Sequence, residues 1–327
     1  MGLPESKVSP VTLDGIKAAH KLVGPEVIRT PLVLSDAASD QAGLPVHLKM
    51  ENLQRTEAFK VRGALNKVTS FTAEERQRGI ICGSSGNHGL GVAYAAKRFG
   101  ARCIVVLPTW ASPHKLSLLR KLGAEIVLHG TTTDVRQAKV DDLAREHGYA
   151  AVHPFGDPAV IAGQGTVGLE ILADLPDVDE VYIPVGGGGL ISGIATAIKE
   201  SRPATRVYGV EPEQSNSMWE ALRHGGPYAV PKVDTIADGL AARITTDLNY
   251  SIVRQYVDGI ILVSERAIVE ALLFLLEQAK VLVEPASATA YAGLVANPNK
   301  KGKAAVVLSG GNYTLKQLEE ARRAQGV

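Results

Sequence analysis

The chain has 327 residues, of which 45% are hydrophobic, so it is long enough for two lobes or one large α/β unit with a sizeable core. Its 35 Lys and Arg residues nearly balance 34 Asp and Glu residues, and the formal net charge is +1. No basic run or basic–aromatic stripe suggests a nucleic-acid surface, because phosphate binding needs clustered Lys and Arg. We therefore expect a small-molecule ligand and no nucleic-acid partner.

The expected compartment is the cytoplasm. No apolar stretch reaches the roughly 20 residues of a membrane helix, and Met1–Pro10 lacks the hydrophobic core of a signal peptide. Cys82 and Cys103 each lie in an apolar run, which predicts buried free thiols rather than a disulfide or a zinc site. We predict no membrane partner.

Short β-branched runs alternate with longer helical stretches. Predicted strands are 79–82, 102–107, 125–128, 150–152, 181–184, 206–210 and 304–308. One predicted helix begins in the stretch 83–89 and ends at about residue 99. The other predicted helices cover 113–122, 134–147, 190–200, 264–279 and 314–324. This alternation predicts parallel sheets, because a parallel pair of strands needs a crossover helix. In such sheets ligands bind where strands end and helices begin.

A run of four glycines follows the predicted strand VYIP and precedes a helix. The run is Gly186, Gly187, Gly188 and Gly189. Glycine lets a backbone approach a ligand closely, and amides at a helix N-terminus favour anions. A tight turn with close packing is the alternative, but four glycines exceed what a turn needs, so we favour a phosphate site. The sequence lacks Gly-x-x-x-x-Gly-Lys here, which disfavours a nucleoside triphosphatase.

A second loop of small residues, Gly83–Gly89 (GSSGNHG), also opens a helix. Its amides suit an anion such as a carboxylate, and Ser85 could donate or accept a proton. A serine N-cap followed by a glycine turn explains the loop equally well.

Lys60 is a candidate amine nucleophile. A lone Lys on a helix is normally solvated, but this one lies in an apolar stretch that includes Phe59, Val61 and Leu65. Desolvation lowers the pKa of a lysine and makes it a better nucleophile, as a Schiff base requires.

Ser309 follows the predicted strand AAVVL, in the sequence SGGN. It lies either in a plain strand-to-helix loop or with its hydroxyl at the ligand edge of the sheet.

These four stretches, in this order and spacing, resemble fold-type II pyridoxal-phosphate (PLP) enzymes (tryptophan synthase β-like), most closely the threonine/serine dehydratase (ammonia-lyase) and serine racemase branch. Further matches are ENLQ at 51–54, HPF at 153–155, AGQGT at 162–166, IADG at 236–239 and EPASA at 284–288. The resemblance spans about residues 10–318. It implies an α/β fold of two open parallel-sheet lobes, with a large PLP-binding domain at 1–53 plus 151–327 and a small inserted domain at 54–150.

The resemblance also implies roles for individual residues. Lys60 holds PLP and takes the substrate α-proton, with Phe59 beside the ring. Gly186 to Gly189 bind the phosphate, Asn87 contacts the ring 3′-oxygen, Gly239 lies near the ring, and Ser309 faces the pyridine nitrogen. Ser84, Ser85, Asn87 and His88 hold the substrate carboxylate, and Ser85 matches the residue that exchanges a proton in the racemase.

The implied reaction is α,β-elimination from L-threonine or L-serine to a 2-keto acid and ammonia. A neutral Ser309 leaves the pyridine nitrogen largely unprotonated, which favours elimination over transamination. Arg62, two residues after Lys60, resembles the dehydratase form, whereas cysteine and threonine synthases usually carry Asp there. The chain ends soon after SGGN, so we expect a catabolic type without a C-terminal regulatory domain.

Two features depart from the family pattern. The usual Thr-Gly-Ser-Phe-Lys is Thr-Glu57-Ala58-Phe-Lys in this chain, which puts local backbone contacts and substrate preference in question. The racemase branch binds Mg or Ca through a Glu and an Asp six residues later. Glu211 matches the first, but Ser217 replaces the second, and Ser215 is the other nearby oxygen donor. The predicted cation site is therefore weakened, because hard cations prefer charged oxygens.

Alternatives remain open. Serine racemisation or dehydration of 3-hydroxyaspartate could use the same site, and the latter would need a cation aimed at the distal carboxylate. A non-catalytic PLP-binding protein is a third reading, although Lys60 and Ser85 are both present. By family resemblance we expect a homodimer or homotetramer.

Overall fold

The computed structural model describes residues 10–327. The prediction of no signal peptide therefore concerns a segment that lies almost wholly outside the described residues. The strands are β1 (Leu32–Leu34), β2 (Val46–Lys49), β3 (Ile80–Gly83), β4 (Cys103–Leu107), β5 (Glu125–Leu128), β6 (Ala150–Ala151), β7 (Glu180–Pro184), β8 (Arg206–Pro212), β9 (Gly259–Val263) and β10 (Ala304–Val307).

The helices surround these strands in chain order. They are α1 (Leu13–Val23), α2 (Asp36–Ala42), α3 (Lys60–Ser70), α4 (Ala73–Arg78), α5 (Asn87–Arg98), α6 (Pro113–Lys121), α7 (Thr133–His147), α8 (Pro158–Asp174), α9 (Gly189–Ser201), α10 (Ser217–His224), α11 (Asp247–Tyr256), α12 (Glu265–Glu277), α13 (Pro285–Ala296) and α14 (Leu315–Gln325). Short 3₁₀ turns cover Glu51–Leu53 and Asp238–Leu240.

The strands form two sheets. The larger has the order β1-β2-β10-β7-β8-β9, and the smaller has the order β5-β4-β3-β6. All neighbouring pairs are parallel except β1 and β2, which pair antiparallel with Leu32 opposite Lys49. The prediction of an α/β fold with two parallel sheets is confirmed, with one antiparallel strand at the edge of the larger sheet.

The smaller sheet is built from residues 80–151, and strands of the larger sheet precede and follow it in the chain. The predicted domain boundaries at 53/54 and 150/151 remain a prediction. Helix α3 packs against α5 beside the smaller sheet and against α8 beside the larger one. We call each sheet with the helices packed on it a layer, the smaller and the larger. The helix that begins with Lys60 therefore lies where these two layers meet.

Among residues 10–327, three helices of the larger layer have long runs that are buried on every side, and one of them is α9 from Gly189 to Ile198. All residues of α13 from Pro285 to Leu294 are buried, and so are those of α8 from Val160 to Gly168. Small residues let α8 touch its neighbours through the backbone. A Cβ atom added to Gly163 would lie 2.6 Å from the Cα atom of Gly63 in α3. Close helix packing thus fixes the position of α3 on the larger layer.

Both cysteines are buried free thiols, as predicted. Burial raises the pKa of the Cys103 thiol to about 12, so this group is inert at neutral pH. Within residues 10–327, the helices are all too short or too polar to cross a membrane.

Candidate active site

A cavity of about 590 Å³ opens at the carboxyl ends of β3, β7 and β10. This volume is ordinary for a small-molecule site. Every residue predicted to bind a cofactor or substrate lines it: Phe59, Lys60, Ser84, Ser85, Asn87, His88, Gly186 to Gly189, Gly239 and Ser309. Parallel sheets collect these residues because the carboxyl ends of their strands face the same side.

Lys60 is the first residue of α3, and its side chain is half-buried on the cavity wall. Its Nζ atom donates a hydrogen bond to the carbonyl oxygen of Pro154 at 2.8 Å and lies 5.1 Å from the centre of the Phe59 ring. Burial lowers the pKa of Lys60 to about 8, and the negative charge of Glu284 partly offsets that effect. A substantial fraction of neutral amine is therefore available near physiological pH.

The segment before Lys60 is held by the end of the larger sheet. Phe59 N donates to the carbonyl oxygen of Ser309 at 3.0 Å, and Gly311 N donates to that of Glu57 at 2.7 Å. Glu57 has φ of 55°, in the left-handed region. It stands where the family pattern has glycine. The chain keeps these backbone contacts despite the missing Gly-Ser, at the cost of placing a non-glycine residue in an unfavourable conformation.

The glycine run forms the turn between β7 and α9, as predicted. Within residues 10–327, the amides of Gly186, Gly187 and Gly188 donate no hydrogen bond to another part of the chain. The carbonyl oxygen of Gly187 instead accepts from Asn249 Nδ2 at 2.7 Å and from Thr245 Oγ1 at 3.1 Å. These two bonds hold the loop with free N–H groups at the start of a buried helix, a geometry that attracts anions.

Close packing also requires these glycines. A Cβ atom on Gly187 would lie 2.4 Å from the Phe155 ring, and one on Gly186 would lie 2.9 Å from the Leu240 Cα atom. Gly188 has φ of 95°, which favours glycine. The steric alternative raised from sequence is therefore correct. It is compatible with the phosphate site, which stays a prediction.

The loop after β3 combines a cap with free amides. Ser84 Oγ accepts hydrogen bonds from the amides of Gly86 and Gly89, both at 2.9 Å. The N-cap residue of α5 is Gly86, so the predicted serine N-cap is wrong in position, although Ser84 Oγ satisfies two amides at the start of the helix from two residues earlier. The amides of Ser85, Asn87 and His88 have no partner within residues 10–327. Three N–H donors at a helix N-terminus suit a carboxylate.

Asn87 is oriented by two buried neighbours. Its Nδ2 atom donates to Glu284 Oε1 at 2.6 Å, and its Oδ1 atom accepts from Asn312 Nδ2 at 3.0 Å. The second N–H of Asn87 is left to face the cavity, so this side chain acts as a donor there. Burial raises the pKa of Glu284 to about 7. Glu284 lies in a motif that we matched to the family, but no sequence feature gave it a role.

His88 is buried and neutral. Its Nε2 atom lies 3.0 Å from the carbonyl oxygen of Val152, which can only accept, so the proton is on Nε2. Burial and the nearby Lys60 charge lower the pKa of His88 to about 3. An uncharged ring adds no positive charge to the loop, and the contribution of His88 to a carboxylate site is its backbone amide.

Ser309 is buried at the end of β10, and its Oγ atom lies 3.2 Å from Ser287 Oγ. Ser287 is fixed in turn, because its Oγ donates to the carbonyl oxygen of Gly310 at 2.6 Å. The cavity therefore has a neutral hydroxyl on this wall, with no carboxylate directly bonded to it.

Arg136 is a cavity residue that sequence reasoning missed. Only 5% of its surface is exposed, and it bonds Thr133 Oγ1 at 3.0 Å. Its Nη1 also donates to the carbonyl oxygen of Thr131 at 3.4 Å. Among the described residues its Nε has no hydrogen-bond partner, and the nearby acid, Asp134, forms its ion pair with Arg243 instead. A buried arginine without an anionic partner is costly. No motif signals it, because its role depends on where α7 packs.

Lys115 and Asp238 were also missed. Lys115 Nζ, from α6 beside the smaller sheet, bonds Asp238 Oδ2 at 2.5 Å in the larger layer. The Lys115 stem crosses Gly86, where an added Cβ would lie 2.3 Å from Lys115 Cδ. The pair joins the two walls of the cavity.

The predicted cation site does not fit a hard metal ion. Both Glu211 oxygens accept backbone N–H groups of α10, from Met218 at 3.0 Å and Trp219 at 2.8 Å, and burial raises its pKa to about 8. Ser215 Oγ donates to the carbonyl oxygen of Leu240. Ser217 brings no charge. Within residues 10–327, no three His, Cys, Asp or Glu side chains gather as a metal site. Glu211 caps a helix here, so we derive no step through Mg or Ca.

The fold and the cavity together define an α/β enzyme of the kind that holds a phosphorylated small molecule opposite a reactive lysine. The model of the pyridoxal-phosphate dependent enzyme family matches residues 23–310. The chain belongs to this family.

Individual relatives resemble the chain over nearly its whole length. An L-threonine ammonia-lyase of Thermotoga maritima is 45% identical over 310 residues, which are 94% of this chain and 77% of that relative. An L-threo-3-hydroxyaspartate ammonia-lyase of Saccharomyces cerevisiae is 36% identical and covers 95% of both chains. The structure of maize serine racemase superposes with a TM-score of 0.91 at 33% identity, over 96% of this chain and 98% of that one.

The residues present fit PLP. The glycine turn offers unpartnered amides for a phosphate, Lys60 offers a half-buried amine with a lowered pKa, and Glu284 Oε2 is buried without a partner among the described residues.

Proposed function

We propose that this protein is a PLP-dependent ammonia-lyase that converts L-threonine, and also L-serine, to a 2-keto acid and ammonia. One observation carries the proposal. A single cavity holds the Lys60 amine, the free amides of the glycine turn and the free amides of the Ser85 loop. Amine, phosphate and carboxylate sites are the three that such a reaction needs. The names of relatives at 45% identity agree with it.

In this proposal, Lys60 Nζ carries the cofactor, and the amides of Gly186 to Gly189 bind its phosphate. Asn87 Nδ2 would donate to the ring oxygen, Phe59 and Gly239 would border the ring, and Ser309 Oγ would face the pyridine nitrogen. When bound, PLP supplies an electron sink for the charge that develops at the substrate α-carbon.

The chain's own groups then handle the substrate. The amides of Ser85, Asn87 and His88 bind the carboxylate and fix the α-carbon. Lys60, released when the substrate amine takes its place on the cofactor, would then be free to take the α-proton as a general base. Neutral Ser309 cannot protonate the pyridine nitrogen strongly, and we propose that this favours loss of the β-hydroxyl. Ser85, half-buried, is the candidate for proton exchange on the opposite face.

Arg136 favours a second candidate substrate, 3-hydroxyaspartate. The guanidinium lines the cavity without an anionic partner in the described chain, and a second carboxylate on the substrate would supply one. The yeast relative named for that substrate is consistent with this reading.

The test is 2-keto acid release by PLP-loaded protein from L-threonine, L-serine, D-serine and both 3-hydroxyaspartate diastereomers. We expect 2-ketobutyrate from L-threonine and loss of all turnover in Lys60→Ala. Arg136→Met should lower turnover of hydroxyaspartate far more than that of threonine if Arg136 binds a distal carboxylate. EDTA should have no effect, because Glu211 is a helix cap.

Three outcomes would overturn parts of the proposal. If none of these substrates releases a keto acid, the ammonia-lyase assignment is wrong, and racemisation of serine becomes the leading reading. If PLP does not bind covalently at all, the site is not a PLP site. If Arg136→Met affects both substrates equally, Arg136 does not select between them.

We also propose a homodimer or homotetramer. The edge strand β1 exposes Val33 and Leu34, and Leu53 and Leu282 are exposed nearby, where Asn52 Nδ2 bonds the carbonyl oxygen of Leu282 at 3.2 Å. Apolar side chains beside an open sheet edge are suited to contact with a second copy.

A further inference from the structure

Arg62, two residues after Lys60, is fully buried and uses its whole guanidinium group. Its Nε and Nη2 atoms each bond an oxygen of Glu51 at 2.8 Å. Its Nη1 and Nη2 atoms bond the two oxygens of Glu170 at 2.7 and 2.9 Å. Nη1 also donates to Thr166 Oγ1 at 3.1 Å. Two forked ion pairs on one arginine fix its position more tightly than a point charge could.

The charges around Arg62 close into a neutral network. Lys49 Nζ donates to Glu170 Oε2 and to the carbonyl oxygen of Thr30, both at 2.7 Å. Thr30 Oγ1 in turn donates to Glu51 Oε1. Two cations thus face two anions, and all five side chains are at most 3% exposed. The network joins β2, the turn after it, α3 and α8.

This network lies under the first turn of the helix that carries Lys60. On the next residue, Gly63 touches α8 so closely that an added Cβ would lie 2.6 Å from the carbonyl oxygen of Val160. On the other side, a Cβ on Gly91 of α5 would lie 3.0 Å from the carbonyl carbon of Lys60. The first turn of α3 lacks a side-chain N-cap. Its position therefore depends on Arg62 and on these contacts.

We propose that Arg62 is a positioning residue for Lys60, which fixes the depth at which the amine enters the cavity. The inference deepens the proposed function and rests on Lys60 being its PLP-binding amine. Arg62 acts by fixing the position of α3 rather than by an electrostatic effect on Lys60, because the two positive and two negative charges of its network sum to zero. The titratable groups that face Lys60 are Glu284 at the N-cap of α13, His88 from α5 and His153 from the loop before α8. A change at Arg62 leaves all three in place.

A structural role alone would make Arg62 no different from Lys49, which belongs to the same network but lies on β2. Arg62→Lys keeps the charge and loses the fork, and Lys49→Met is the matched control. If Arg62→Lys fails to fold, the double variant Arg62→Lys with Glu51→Gln is measured in its place. It retains a weaker contact between α3 and the turn after β2. PLP affinity, borohydride trapping of PLP on Lys60, and kcat and KM for L-threonine are measured for each protein.

We expect Arg62→Lys to weaken PLP binding, slow trapping at Lys60 and lower kcat about tenfold or more with little change in KM, because small misplacements of a reacting group are costly. Lys49→Met should lower the melting temperature comparably and leave trapping and kcat near wild type. Equal losses of kcat in both variants, or normal PLP affinity and trapping in Arg62→Lys, would overturn the proposal. Trapping needs no substrate, so it reports on Arg62 even if the ammonia-lyase assignment fails.

Discussion

Glu57 holds a left-handed backbone conformation just before Lys60, with φ of 55°. This conformation costs an L-residue about 1–2 kcal/mol, and glycine loses part of that advantage through its unfolded-state entropy. We therefore expect Glu57→Gly to raise the free energy of unfolding by about 0.5 kcal/mol and to keep activity. Chemical denaturation measures the change. Glu74→Gly, on exposed helix α4, is the control and should destabilise, and a loss of stability in both variants would contradict the argument.

Lys60 leads to a pH prediction. Only its neutral amine attacks PLP, and burial lowers its pKa to about 8. The rate of PLP attachment to the apo-protein should therefore rise with pH and level off above about pH 8, whereas an ordinary lysine would continue to gain up to about pH 10.4. In Glu284→Gln the midpoint should fall, because the Glu284 charge raises the pKa of Lys60. Stopped-flow absorbance follows the reaction, and a rate still rising at pH 10 would refute the assignment.

At the scale of single residues, the sequence predicted the site residues that lie in short motifs. Lys60, the glycine turn and the Ser85 loop each have a local signature, and all of them line the cavity. Arg136 and Lys115 could not be found, because each is a charged side chain that tertiary packing buries on the inner face of its helix, which no local pattern predicts. The cation site failed for a related reason. Glu211 matched a motif, but its oxygens cap α10, which no local pattern around Glu211 announces.

At the scale of elements, the helices and strands that were predicted lie within a residue or two of the observed ones, but the amphipathic helices α1, α10 and α11 were not predicted. The strand 125–128 and the helix 134–147 correspond to β5 and α7. The buried helices α8 and α13 were not predicted as elements, and neither were β1, β2 and β9. A helix enclosed on all sides has no polar face, so the period of 3.6 residues is invisible in its sequence.

The contact between α3 and α8 gives an element-scale prediction. A Cβ on Gly63 would lie 2.4 Å from Gln164 Nε2 and 2.6 Å from the carbonyl oxygen of Val160. Gly63→Ala should force the helices apart and destabilise the protein by about 2 kcal/mol. Gly226→Ala, with no atom within 4 Å of the new Cβ, is the matched control and should be nearly neutral. Equal thermal stability of the two variants would contradict this, because it would show that α8 can move away from α3 at little cost in free energy.

At the scale of the whole molecule, strand–helix alternation predicted parallel sheets and the family resemblance implied two of them, but neither predicted the antiparallel β1. Pairing direction at a sheet edge is set by a short connection, and β1 is three residues long. A strand so short gives too few residues for a pattern to be read. It is also the element that leaves apolar side chains uncovered.

The exposed apolar side chains of β1 and of the 3₁₀ turn Glu51–Leu53 carry the prediction about assembly. Leu53→Glu should dissociate the proposed oligomer, because a buried unpaired charge at an interface is costly. Leu128→Glu is a control of equal exposure, 50%, at the far edge of the smaller sheet on β5. Light scattering of both variants decides the matter. An unchanged mass for Leu53→Glu, or a wild type that is already a monomer, would reject this surface as the interface.

Helix α3 belongs to neither sheet, and it lies in near-backbone contact with α5 on one side and with α8 on the other. Helix α3 is therefore held from both sides, by one helix of each layer. Any rotation of the smaller layer about α3 would have to break the bond between Lys115 and Asp238, which joins the two walls of the cavity. The two layers are therefore held together across the cavity as well as along α3.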